Sequence, residues 1–131
     1  MSIEIVPAAA ESVLDWHSLT EALVAGHTLP RAKVADSLLY RGKDTLLNRA
    51  AWIDGLGLAV KSATIFPGNG AYGLPSVNGS ATLYADQTGV AEALVDFHLL
   101  TKWKTAGDSL LASKRLARPD SRKILLIGAG N

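Results

Sequence analysis

The sequence predicts an α+β fold: an antiparallel meander sheet of about five to six strands, packed with an N-terminal helix and a long C-terminal helix. Three observations carry this. Between Asp36 and Phe97 the apolar residues fall into runs of strand length separated by turn residues. On either side, around Asp15 to Ala25 and Thr101 to Ala117, the apolar spacing is helical. The chain then ends in one apolar run, Ile124 to Ile127, followed by Gly128-Ala129-Gly130.

Taken in order, Ile3 and Ile5 alternate with polar neighbours, so MSIEIV reads as a short strand, with Pro7 and three alanines as its exit. Asp15 is a natural cap for a helix running to about Ala25, with Leu19, Leu23 and Val24 on one side and Gly26 as its stop. From Asp36, DSLLY, the turn RGKD, TLLNRAAWI, the turn DGLG and LGLAVKSATIF give strand, turn, strand, turn, strand. A loop rich in glycine and proline follows, and SATLYA and GVAEALVDF add two strands joined by the turn DQTG. The last helix is read from Thr101 to Ala117, with Trp103, Ala106, Leu110 and Ala117 on one face and ARPDS as its end. Lys123 to Ile127 reads as a continuous apolar strand, which would be a central parallel strand in a whole protein and an exposed apolar segment without that sheet.

Composition narrows the class. The 131 residues are enough for one domain, and 48% hydrophobic with 19% charged residues is a globular balance. Thirteen basic and 12 acidic residues leave a net charge of +1, spread along the chain, which argues against a nucleic-acid partner. No cysteine is present, so disulfides and thiolate sites are excluded. No signal-peptide pattern or membrane span is read, and the expectation is a cytoplasmic protein with no membrane partner. His17 and His27 have no carboxylate at ligand spacing, and no metal site is expected.

The stretch Gly57 to Gly79 holds a single charged residue, Lys61. A strand over Leu58 to Phe66 places Lys61 on one face with Ala59, Ala63 and Ile65, and small neighbours leave room beside an ammonium. Lysine is also common on edge strands, where it blocks pairing. The loop that follows, with Pro67, Gly68, Asn69, Gly70, Gly73 and Pro75, favours the reading of Lys61 as a pocket wall. Thr101 reads as the cap of the last helix, which puts Lys102 and Lys104 in its first turn, where the helix dipole disfavours cations. A bound anion explains them, as does a solvated face with Lys104 paired to Asp108. Arg49 lies in the otherwise uncharged LLNRAAWI. Gly128-Ala129-Gly130 after an apolar run is the first half of G-x-G-x-x-G, the turn that brings a pyrophosphate onto a helix.

In this order VKSATIFPGN, GLPSVNG, DQTG, LLTKWKTA, LARPDS and ILLIGAG resemble the ornithine cyclodeaminase and mu-crystallin family, over about Pro30 to Asn131. The match is to the amino-terminal half of that family. It implies a substrate-binding and dimerisation domain over residues 1–118, with residues 119–131 as the first strand and partial glycine turn of a truncated dinucleotide-binding Rossmann domain. Lys61 matches the family lysine that contacts substrate and takes part in proton transfer, the one catalytic candidate. Lys104, in Lys104-Thr105-Ala106, matches a carboxylate-binding arginine, while Arg31 after Pro30 and Arg49 are rival sources of a second guanidinium. Ser76 matches a position near the nicotinamide, and Gly128 and Gly130 belong to the nucleotide turn.

The resemblance further implies an enzyme that moves hydride between an α-amino or cyclic imino acid and NAD or NADP. Its reaction is either ornithine to proline or reduction of a ketimine such as pyrroline-2-carboxylate. The cofactor is expected in the full-length protein, with none for these 131 residues alone. A homodimer is the expected assembly, and a non-catalytic dimerisation or ligand-binding module is the rival function.

Overall fold

The computed structural model describes residues 2–128. Its elements are β1 (Glu4–Val6), a 3-10 turn (Ala8–Val13), α1 (Trp16–His27), β2 (Lys33–Arg41), β3 (Asp44–Ile53) and β4 (Gly57–Ile65). A second 3-10 turn (Pro67–Tyr72), β5 (Val77–Tyr84), β6 (Ala91–Asp96) and α2 (Phe97–Leu116) complete it. Six strands form one sheet in the order β1-β6-β5-β4-β3-β2. The expected antiparallel meander is β2 to β6, and β1 adds a parallel edge strand against β6.

The turns behave as their residues require. Arg41 pairs with Asp44 across Gly42, whose φ of 59° is the left-handed conformation a two-residue hairpin needs. Asp86, in the turn between β5 and β6, accepts from Trp52 Nε1 at 2.9 Å and from the Gly55 amide at 3.0 Å, tying that turn to the one between β3 and β4. Asp15 caps α1 through the amides of His17 and Ser18. Gly26, expected as the stop, lies inside the helix, which runs on to His27 and closes at Thr28.

Packing is concentrated at one end of the sheet. Small residues Ala63, Ala81 and Ala93 are buried on β4, β5 and β6, and with them Phe97, Leu99 and Trp103 of α2. Alanines on the sheet allow the helix to approach closely. Trp16 of α1 stacks on Trp103 at 4.0 Å, and Gly107 lets α1 come so near that an added methyl would meet Leu19 at 2.6 Å. Glu11 accepts from Trp103 Nε1 at 3.0 Å and Lys102 Nζ at 2.5 Å, which holds the N-terminal segment against α2. The other end of the sheet is uncovered. Every residue of β2 is exposed, and Val34, Leu39, Tyr40 and Trp52 show 58%, 63%, 72% and 42% of their surface.

Two expectations are corrected. α2 starts at Phe97, capped by Asp96, whose carboxylate accepts from the Leu99 amide at 2.8 Å. Thr101 is therefore in its second turn, because β6 passes into the helix without an intervening loop. The packed face follows Leu99, Trp103 and Gly107, while Ala106 and Ala117 are exposed. Residues 121–128 adopt no strand, and Ile124 to Ile127 stay at least 79% exposed, the state expected of this apolar run without its sheet. A parallel strand exists only by pairing with neighbours, and none of the described residues pairs with these.

Candidate functional site

Hairpin register assembles the site. β3 sets Arg49 opposite Asp36 of β2 and opposite Lys61 of β4, and Lys61 in turn lies opposite Ala81 of β5. Side chains directly opposite in neighbouring strands share a face, with Cβ atoms about 5 Å apart. Asp36, Arg49, Lys61 and Ala81 thus make one row on the face that α2 covers. Ala59 and Ala63 flank Lys61 on that face, as its strand period requires.

α2 supplies the opposite wall. Lys61 Nζ donates to Thr101 Oγ1 at 3.1 Å and stands 4.7 Å from the centre of the Phe97 ring. Partial burial, then the charge of Lys104, then that of Arg49 hold the Lys61 pKa below the ordinary lysine value. The Phe97 ring and the Thr101 hydroxyl both favour the ammonium, so the downward direction means that desolvation and like charge outweigh them. Arg49, Lys61 and Lys104 therefore act on one another electrostatically around one half-buried amine.

The flanking cations have partners of their own. Arg49 donates through Nε and Nη2 to the two oxygens of Asp36, at 2.7 and 2.5 Å. This fork raises the guanidinium pKa and holds the Asp36 carboxyl below its usual value. Lys104 Nζ lies 2.5 Å from Asp108, one turn along the helix. Lys102 points the other way, to Glu11. The expected first-turn placement of Lys102 and Lys104 is thus corrected: both sit beyond the first turn of α2, and Lys104 has the Asp108 partner that a solvated face predicts.

Of the remaining candidates, Arg31 lies exposed in the connection between α1 and β2 and is not among the charges that shift Lys61. Ser76 is exposed at the entry to β5, where its carbonyl accepts from the Phe66 amide at 2.7 Å. It stands about five residues along the strand from the Lys61 row, roughly 16 Å. The loop between Phe66 and Ser76 is tied by Asn69 and Asn78, whose side-chain amides both donate to the Pro75 carbonyl at 2.8 Å. Gly128 has a φ of 97°, a conformation open to glycine, and Gly130 lies outside the described residues. A dinucleotide cradle needs a strand and a helix around such a turn. Residues 121–128 form neither, so these residues do not by themselves fit a nucleotide.

Among the described residues no group of three or more histidines, aspartates or glutamates has a metal-binding arrangement. His17 pairs with Glu21 at 3.5 Å. No helix among them is long and apolar enough to cross a membrane.

The sequence did not reveal Asp36 as the partner of Arg49, or Phe97 and Thr101 as the partners of Lys61. For Asp36 the signal was present: a two-residue hairpin centred on Gly42 and Lys43 puts position 49 opposite position 36. For Phe97 and Thr101 it was absent, since their places depend on where α2 begins.

Comparison with known proteins adds the following. Residues 51–131 match the sequence model of the ornithine cyclodeaminase/mu-crystallin family. The chain is 47% identical over 117 residues to a Delta(1)-pyrroline-2-carboxylate reductase of Paracoccus denitrificans, covering 89% of this chain and 37% of that protein. It is 34% identical over 77 residues to an L-lysine cyclodeaminase of Streptomyces rapamycinicus, 58% of this chain and 22% of that one. Among solved structures, the Thermococcus litoralis Delta(1)-pyrroline-2-carboxylate reductase in complex with NADH and L-proline superposes with a TM-score of 0.76 at 26% identity. That match covers 92% of this chain and 40% of the other. An archaeal alanine dehydrogenase dimer with bound NAD gives 0.78 at 26% identity, over 92% of this chain and 39% of the other. The chain thus spans 40% or less of the length of each of these relatives.

Proposed function

The chain belongs to the ornithine cyclodeaminase/mu-crystallin family, and on that premise we propose that it is the substrate-binding part of a nicotinamide-dependent reductase acting on a cyclic imino acid of the pyrroline-2-carboxylate kind. The observation that carries this is the placement of Arg49 opposite a half-buried Lys61 on one sheet face, with Lys61 bonded to Thr101 of α2 and its pKa lowered by burial, Lys104 and Arg49. Residues 1–118 form the substrate domain in this reading, and residues 119–131 lead into a dinucleotide-binding half to which Gly128 and Gly130 belong, with Ser76 facing it. NADH or NADPH, bound to the whole protein, would supply the hydride.

The chain's own residues bind and move protons. Arg49 and Lys104 hold the substrate carboxylate, Arg49 with the N–H edge that Asp36 leaves free and Lys104 as a point charge. Lys61 faces the imine nitrogen. With its pKa lowered toward the working range, it donates a proton to that nitrogen as the carbon beside it is reduced, and takes one back in the reverse direction. Ornithine cyclisation would use the same three residues. Reduction is preferred because the 47% identity to the Paracoccus reductase spans most of the chain, whereas the lysine cyclodeaminase match covers 58% of it.

In a protein that joins this chain to a dinucleotide-binding half, Lys61→Ala should lower reduction of pyrroline-2-carboxylate by about 10² to 10⁴-fold, the usual worth of a positioned acid, with circular dichroism unchanged. Turnover at the wild-type rate would overturn the role of Lys61. The second reading, a non-catalytic dimerisation module, is supported by the exposed apolar side chains of β2 and β3. A homodimer is compatible with both readings, and only turnover separates them.

A further inference from the structure

Each of the two cations beside Lys61 already carries a carboxylate. Asp36 takes the Nε and Nη2 edge of Arg49, and Asp108 takes the ammonium of Lys104. Lys61 differs: among the described residues its hydrogen-bond partner is the neutral hydroxyl of Thr101. Three positive and two negative charges leave the constellation with one net positive charge. The pairs are not built for stability, since side-chain exposures of 36% to 63% put them in the range where ion pairs add little to folding.

We propose that Asp36 and Asp108 are specificity-determining residues, which cap two of the three cations so that the recess accepts substrates with one carboxylate and disfavours those with a second. The inference rests on the reading of Arg49, Lys61 and Lys104 as the carboxylate site. A cyclic imino acid with a neutral ring nitrogen brings one negative charge and neutralises the recess. A dicarboxylate brings two, and its second charge meets either Asp36 or Asp108. Asp36 stands two strands from Lys61, about 10 Å, so its repulsion of a second carboxylate is felt chiefly at low salt, where the Debye length exceeds that distance. Asp36 also blocks one edge of the Arg49 fork, so a single edge remains for an incoming carboxylate oxygen.

The test is calorimetric titration of the 131-residue chain with pyrrole-2-carboxylate and with pyrrole-2,5-dicarboxylate. The wild type should bind the monocarboxylate more tightly. Asp36→Asn and Asp108→Asn should each move the ratio of the two affinities toward the dicarboxylate by about threefold to tenfold at low salt. The shift should shrink as salt rises. The ratio between variants cancels the steric cost of the larger ligand, and Asp108→Asn, on the surface of α2, reads independently of any disturbance at β2. An unchanged ratio in both variants, with both ligands still bound, overturns the inference and leaves the carboxylate site standing. Failure of the monocarboxylate to bind the wild type overturns the site and the inference together.

Discussion

Lys61 is placed by the alternation of β4 and tuned by what the neighbouring elements bring. Burial, Lys104 and Arg49 all depress its pKa, so a titration of the chain that follows the lysine ε-carbons should show one lysine releasing its proton below the ordinary lysine range. Lys104→Met and Arg49→Met should each move that value back upward, and a Lys61 pKa unmoved by both would mean that the three cations do not share a site. The sign for stability follows. Between the lowered folded value and the ordinary unfolded one, the unfolded chain binds the extra proton, so stability rises with pH across that window. For Asp36 the direction is the same and the cause opposite: Arg49 favours its charged form, so its folded pKa is lowered, and the stability it contributes is present above the ordinary carboxylate range and is lost as pH falls through the folded value. At this scale Lys61 and Lys104 were legible as lone charges in apolar or helical settings. The choice of Arg49 over Arg31 was open in the sequence, because it depends on the pairing of three strands.

At the scale of elements, the hairpins were legible because their turns carry residues that can do little else: Gly42, Gly55 and Gly89 all have positive φ. The start of α2 was not, since Asp96 both ends a strand and caps a helix and no turn residue marks the change. That boundary matters, because it brings Phe97 and Thr101 onto Lys61. Gly79 is the element-level counterpart. A methyl there would lie 2.0 Å from the Ser62 carbonyl oxygen and 2.7 Å from the Phe97 ring. Gly79→Ala should therefore destabilise the chain by about 1–3 kcal/mol or more, as overpacking does, and displace the ring from Lys61. Urea unfolding measures the first effect and the Lys61 titration the second. A variant of wild-type stability would mean that α2 does not press on β5 as described.

On the scale of the whole molecule, α2 packs on the end of the sheet around β5 and β6 and α1 packs on α2, while β2 and β3 expose apolar side chains. The α+β class and the strand count were legible from periodicity. The uneven cover was not, because hydrophobic residues of β2 such as Leu39 and Tyr40 look like core in sequence and are 63% and 72% exposed in the fold. A homodimer that buries them should scatter light as twice the chain mass, and Leu39→Lys with Tyr40→Lys should reduce it to one. A well-folded wild-type monomer would contradict that assembly. The apolar run Ile124 to Ile127 was legible as a strand that needs a sheet, and without a pairing partner among residues 2–128 it stays exposed, as expected. The central claim is that Arg49, Lys61 and Lys104 form one carboxylate site, and it is tested most directly by following the side-chain signals of lysine and arginine by NMR while pyrrole-2-carboxylate is added. Saturable shifts at these three residues, with Arg31 unmoved, are the predicted result. Shifts confined to Arg31, or none at Lys61, would contradict it.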